Sequence, residues 1–196
     1  MQGVYLSIDL DYWVFTAAHW PVAPFLKMLR RVSAPPAKWR VVTLHHRLLP
    51  HINRSLARTL INLDWHDDIA DLDDGHLPEL NDGTWVTHVR WRREGRFEWI
   101  PPTQACARGE TGSRCFAGLG PDPFLVYPQW KRCSKSTTAR IPWERVVDVG
   151  IAISPDWSSG KGCAAMARAL YDLCGKRSLC LAARWLKLGK YPGRKG

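Results

Sequence analysis

Asp64, His66 and Asp68 occupy every second position of Leu63-Asp64-Trp65-His66-Asp67-Asp68, immediately after the apolar run at residues 59–63. Carboxylates and imidazoles are the side chains that hold hard and borderline divalent cations. Two further apolar runs end in residues of the same kind. Residues 4–8 lead into Asp9 and Asp11, and residues 41–44 lead into His45-His46. In extended backbone alternate side chains share a face, so Asp9 pairs with Asp11, and Asp64 with His66 and Asp68. Ligands of open parallel sheets collect outside the carboxyl ends of the strands. If the three runs are neighbouring strands, Asp9, Asp11, His45 or His46, Asp64, His66 and Asp68 converge on one pocket.

Four carboxylates and two imidazoles exceed what one ion needs. They suit a pair of divalent ions bridged by shared carboxylates, roughly 3.5–4 Å apart, that hold a hydroxide and polarise the bond it attacks. The oxygen-rich set favours manganese, with zinc or iron next. Without a cation these carboxylates would repel one another and their pKa values would rise.

The elements that must position these residues follow from periodicity. Residues 4–10, 40–44 and 59–63 read as strands. Residues 23–32 read as a helix with Phe25, Leu26, Leu29 and Val32 on one face, and 47–57 as a second amphipathic segment that must begin near Pro50. Strands alternating with helices predict an α/β fold with a mostly parallel sheet. Further on, residues 84–91 and 96–100 are expected strands, and 101–140, rich in Pro, Gly, Cys and Ser/Thr, an irregular lid-like insertion. Residues 146–153 read as a buried strand, 160–174 as a helix with a core-facing apolar stripe, and the chain from about 189 as a basic tail. The 196 residues suit a single domain.

The net charge of +10 would attract anionic partners, and basic residues interleaved with tryptophan at Arg90-Trp91-Arg92-Arg93 make nucleic acid one such partner. A solvated basic surface is the plainer interpretation. Six cysteines lack the paired spacing of a zinc knuckle. The absence of a signal-like start or a long apolar window leads to the expectation of a cytoplasmic protein that does not enter a membrane. Secondary candidates for the pocket are His76 and His88 as proton carriers, and Asp156, which equally serves as a cap for the helix after it.

Three segments resemble the arginase/deacetylase superfamily, and within it an arginase-like branch: Ile8-Asp9-Leu10-Asp11-Tyr12-Trp13, His45-His46-Arg47-Leu48-Leu49-Pro50, and Leu60 to Asp68 with its Asp-x-His-x-Asp. The resemblance covers about a third of the chain. It implies a three-layer α/β/α, arginase-like fold and a dinuclear, typically manganese, hydrolase centre. Aligned through Leu49, the family's upstream ligand falls on His45, with His46 as the alternative. Asp64 and Asp9 would bridge the ions, His45 and Asp68 would complete one, and His66 and Asp11 the other. Here the Asp-x-Asp strand precedes the Asp-x-His-x-Asp strand, the reverse of arginases, which a permuted chain order would explain. No substrate-recognition loop of an arginase is evident.

The resulting expectation is a metal-dependent hydrolase that cleaves an amide or guanidine-type C–N bond of a small-molecule or peptide substrate by metal-bound hydroxide. The alternatives are a two-metal phosphoesterase acting on nucleic acid, and a non-catalytic metal- or nucleic-acid-binding protein.

Overall fold

Residues 4–9 alternate between large aliphatic side chains at Val4, Leu6 and Ile8 and a different set at Tyr5, Ser7 and Asp9. The strand they form, β1 (Val4–Asp9), is buried along its whole length, so both faces must be covered. The structure is a computed structural model. It describes residues 3–13, 22–32, 39–69, 78–91, 95–102, 114–119, 131–132, 141–154 and 168–170.

Around β1 lie β2 (Trp39–Val42), β3 (Thr59–Leu63), β4 (Gly95–Ile100), β5 (Arg114–Leu119), β6 (Lys131–Arg132) and β7 (Val146–Ala152). They form one sheet in the order β2-β7-β1-β3-β4-β5-β6. The five strands from β2 to β4 run parallel, while β5 and β6 are antiparallel additions at one edge. This is the expected α/β class with a mostly parallel sheet. The aliphatic face of β1 joins Val149 and Ile151 of β7 and meets Phe25 and Leu29 of helix α1 (Val22–Leu29). The opposite face joins Tyr5, Leu60, Phe97 and Trp99 with Leu49 and Ile52 of helix α2 (Leu49–Arg54). Each buried Leu, Ile or Phe contributes roughly 1.5–3 kcal/mol, so the two apolar clusters hold the sheet between its helices. No helix among the described residues is long and apolar enough to cross a membrane.

Several expected elements differ. Residues 84–91 form no strand. Thr84 Oγ1 donates to the Glu79 carbonyl, Asn81 Oδ1 accepts from the Gly83 amide, and a 3-10 turn follows at Trp85–His88. Local side-chain bonds of this kind draw backbone out of extended pairing. The expected amphipathic segment at 47–57 shortens to a 3-10 turn, His45–Leu48, followed by α2, with Pro50 in the first turn where its missing N–H costs nothing. Residues 101–140, expected to be irregular, contribute β5 and β6. Their weak apolar alternation suits edge strands more than core ones. Of the helix expected at 160–174, residues 168–170 are described and are helical.

The strand order also creates a crevice. From β1 the chain travels across β7 to β2, whereas from β3 it moves the other way to β4. Adjacent strands whose connections diverge leave an opening at their carboxyl ends, the topological switch point where ligands bind in α/β sheets. Here that point lies between β1 and β3.

Because β7 separates β2 from β1, anything carried from β2 to the crevice must cross β7. Its face on that side carries Gly150 and Ala152, and the His45–Leu48 turn lies over it. A Cβ at Gly150 would stand 2.8 Å from a Leu48 methyl and closer still to the Tyr5 hydroxyl, which itself bonds His51 Nδ1 at 2.7 Å. Gly150→Ala should therefore cost about 1–3 kcal/mol. That corresponds to a fall in Tm of roughly 2–4 °C per kcal/mol for a chain of this size. Gly83→Ala, whose Cβ would meet only the Asn81 side chain at 3.6 Å, serves as the neutral control. Equal melting temperatures for the two variants would contradict this account of β7.

Candidate metal centre

Asp9 ends β1 and Asp64 directly follows β3, so two neighbouring parallel strands deliver two carboxylates to the switch point. His45 opens the turn after β2 and comes back across β7 to meet them. Its Nδ1 lies 2.9 Å from Asp64 Oδ2, 3.1 Å from Asp68 Oδ2 and 3.2 Å from Asp9 Oδ2. All four residues are buried, His45 to 1% exposure. Ligand atoms of Asp9, His45 and Asp64 all fall within 4.8 Å of one another.

The local route to this cluster is not the expected extended one. After Leu63 the chain bends, Asp64 Oδ1 accepts the His66 amide at 3.0 Å, and Asp68 takes a left-handed conformation with φ 54°. The turn folds Asp68 back beside Asp64 and leaves His66 exposed between them. Alternation on one strand face therefore does not relate the three residues. Likewise β1 ends at Asp9 and a 3-10 turn, Leu10–Trp13, begins, so Asp9 and Asp11 share no strand face. The Asp11 side chain lies outside the described set. His66 still borders the site: a cavity of about 350 Å³ is lined by Asp9, Asp64, His66, Asp67, Asp68, Asp82, Gly83 and Ser154.

Between the two histidines of the tandem, the geometry separates clearly. His45 enters the cluster. His46 turns away to Asp82, its Nδ1 at 2.8 Å and its amide at 3.1 Å from Asp82 Oδ1. His88 ends the Trp85–His88 turn and is not among the residues lining the cavity. His76 and Asp156 lie outside the described residues.

Residues that the sequence motifs did not point to surround the cluster. Ser7 Oγ lies 2.8 Å from His45 Nε2, Asn62 Nδ2 donates to Asp64 Oδ2 at 3.3 Å, and the Ser154 hydroxyl donates to Asp9 Oδ2. Trp85 Nε1 donates to Asp68 Oδ2 at 2.6 Å, and Trp99 Nε1 to the Asp64 carbonyl at 3.1 Å. A signal for two of them was available. Ser7 and Asn62 stand two residues before Asp9 and Asp64, polar positions on the same strand faces inside otherwise apolar runs. Ser154, Trp85 and Asp82 come from other segments and had no such marker.

These partners are neutral, which matters for the energy of the cluster. Among the described residues neither Asp64 nor Asp68 has a lysine or arginine partner. Burying a carboxylate costs several kcal/mol, and two like charges about 4 Å apart add about 4 kcal/mol at an effective dielectric near 20. One imidazolium cannot neutralise three carboxylates. The protonation equilibria respond accordingly. Burial opposes charge on His45, but Asp64, Asp68 and Asp9 outweigh it and hold its pKa well above the usual imidazole value. Burial, reinforced by Asp68 and Asp9, holds the Asp64 carboxyl well above the usual carboxylate range. Burial also raises Asp68, against the opposing pull of His45.

A cation fits this arrangement. Although three carboxylate oxygens surround His45 Nδ1, none meets it in hydrogen-bonding alignment. When Nε2–H donates to Ser7 and Nδ1 has lost its proton, the Nδ1 lone pair faces the same space as the oxygens. A ring whose second nitrogen is fixed by a hydrogen bond is the usual form of a metal-ligating histidine. No family model, curated protein or solved structure matches the chain.

Protons held by His45 and Asp64 must leave when a cation enters, so apparent affinity for Mn²⁺ should rise with pH and binding should release protons. Without the cation the sign of the stability effect is fixed. Folded-state pKa values above the unfolded ones mean a contribution that is full at low pH and declines as pH rises through the folded values. Melting curves of chelator-treated protein should fall with rising pH, and added Mn²⁺ should reverse the fall. A pH-independent affinity with no proton release, measured by calorimetry in two buffers, would contradict both expectations.

Proposed function

We propose that the chain is a metal-dependent hydrolase that cleaves an amide or guanidine-type C–N bond at this cavity. The observation that carries the proposal is the convergence of three buried carboxylates on one imidazole nitrogen at the switch point. His45, Asp9, Asp64 and Asp68 would hold one divalent cation, manganese before zinc or iron given the oxygen-rich donor set. His66, on the cavity wall, and Asp11 would supply ligands for a second. A bound cation of this kind supplies a Lewis acid and lowers the pKa of a coordinated water.

The remaining work belongs to the chain's own residues. Ser7 holds the His45 ring through Nε2, while Ser154, Asn62 and Trp85 aim the carboxylates. The cavity is large enough for a small molecule or the end of a side chain, and Asp67, Asp82 and Gly83 also line it. An apolar cluster with a helix on each sheet face is compatible with the three-layer, arginase-like arrangement proposed here for the whole domain.

The lining also bears on substrate. Five aspartates face the cavity, so its wall is strongly acidic. A phosphodiester approaching that wall is repelled, whereas a neutral amide or cationic guanidine is not. This favours C–N cleavage over action on nucleic acid despite the net charge of +10.

Chelator-stripped protein reloaded with Mn²⁺, Zn²⁺ or Fe²⁺ should hydrolyse members of a panel of guanidino compounds and N-acyl amines. Asp64→Asn and His45→Ala should each lower that activity by at least about 100-fold, beyond the range typical of residues that merely support ligands. His88→Ala should leave it unchanged. Failure to bind any of the three metals would remove the basis of the proposal, and metal-dependent cleavage of RNA or DNA alone would redirect it to phosphoester chemistry.

A further inference from the structure

Trp85 touches two members of the cluster from a third element. Its Nε1–H donates to Asp68 Oδ2 at 2.6 Å, and its ring lies 4.5 Å, centroid to centroid, from the His45 ring at 43°. The next amide, Val86 N–H, donates to the Asp68 carbonyl at 3.2 Å. Asp68 is thus gripped at both its side chain and its backbone by the Trp85–His88 turn. The grip matters because Asp68 is a non-glycine residue in the left-handed region, a conformation that costs of order 1 kcal/mol or more and persists where surroundings enforce it. The same turn is tied to the other histidine, since Asp82, just ahead of it, accepts from both the ring and the amide of His46.

We propose that Trp85 is a positioning residue for the metal centre: its indole N–H locks the Asp68 carboxylate while its ring wedges His45, so that ligands from the turn after β2 and the loop after β3 are preset before a cation arrives. This rests on the metal-centre interpretation above and adds what sets the affinity of that site. A hydrogen bond to a ligating carboxylate fixes which lone pair faces the ion, and loss of such support typically weakens metal binding by about 10- to 100-fold. Pre-organised ligands lose less freedom on binding, which acts in the same direction. A fully buried tryptophan could also be plain core filling, and the chain supplies its own comparison. Trp91 lies in the same apolar cluster, 6.1 Å from Phe97, with no hydrogen-bond partner for its Nε1 among the described residues.

The test uses the full-length protein. Trp85→Phe keeps an aromatic ring and deletes the donor, while Trp91→Phe makes the same chemical change in the same apolar cluster, away from the Asp–His group. Mn²⁺ affinity by calorimetry should fall about 10- to 100-fold in Trp85→Phe and stay at the wild-type value in Trp91→Phe. The visible absorption of the Co²⁺-loaded protein should change in shape only for Trp85→Phe, because only there does a ligand reorient. If Trp85→Phe does not fold, the wild-type protein still decides. The assigned Trp85 indole proton should shift on titration with Zn²⁺, and an unmoved resonance at saturation overturns the proposal. Equal Mn²⁺ affinity in wild type and Trp85→Phe overturns it too, as does an equal loss in both variants. Wild-type protein that binds none of these ions overturns the metal-centre interpretation itself, and this proposal with it.

Discussion

Three carboxylates buried around a single imidazole nitrogen are the constraint to which the rest of this chain answers. Each would be better solvated in water, and no lysine or arginine among the described residues pairs with Asp64 or Asp68. The cluster is held together by neutral hydrogen-bonding side chains from separate elements: Ser7 in β1, Asn62 in β3, Ser154 after β7 and Trp85 in the turn before β4. Neutral hydrogen bonds orient a carboxylate without discharging it. The arrangement therefore retains its demand for positive charge, which a proton meets in part and a divalent cation meets better.

The sheet serves that constraint through its order as much as its composition. Placing β1 beside β3 in parallel brings Asp9 and Asp64 to one edge, and the divergence of their connections keeps helices from covering it. Placing β7 between β2 and β1 would carry His45 out of reach were it not for Gly150 and Ala152, which leave room for the His45–Leu48 turn to lie flat across the strand. A glycine outside the Asp–His cluster thus helps decide whether the imidazole reaches the carboxylates.

Much of this was legible in the residues. The strands at 4–9, 59–63 and 146–152 announce themselves by largely apolar runs, and the mostly parallel α/β class follows from their spacing with the helices. The acid-rich run after β3 and the acid at the end of β1 were visible as candidates for the reason that makes them useful: charged residues directly after buried strands sit at the sheet's edge. What alternation could not supply was the path beyond each strand. It assumed extended backbone through Asp11 and Asp68, where the chain in fact turns, and so grouped His66 with its neighbours while the fold leaves it exposed on the cavity wall. It also took 84–91 for a strand, because hydrogen bonding by Asn81 and Thr84 to nearby backbone has no periodic signature.

Residue type and periodicity by themselves determined the class of fold, the edge of the sheet that matters and the chemical character of the residues collected there, since these depend on burial and on short-range geometry. Only the tertiary structure decided between His45 and His46, between a shared strand face and a turn at Asp64–Asp68, and which uncharged side chains hold the carboxylates. Those outcomes depend on contacts between segments distant in sequence, such as Asp82 with His46 and Trp85 with Asp68. A pattern confined to one segment carries no information about what the opposite segment will bring.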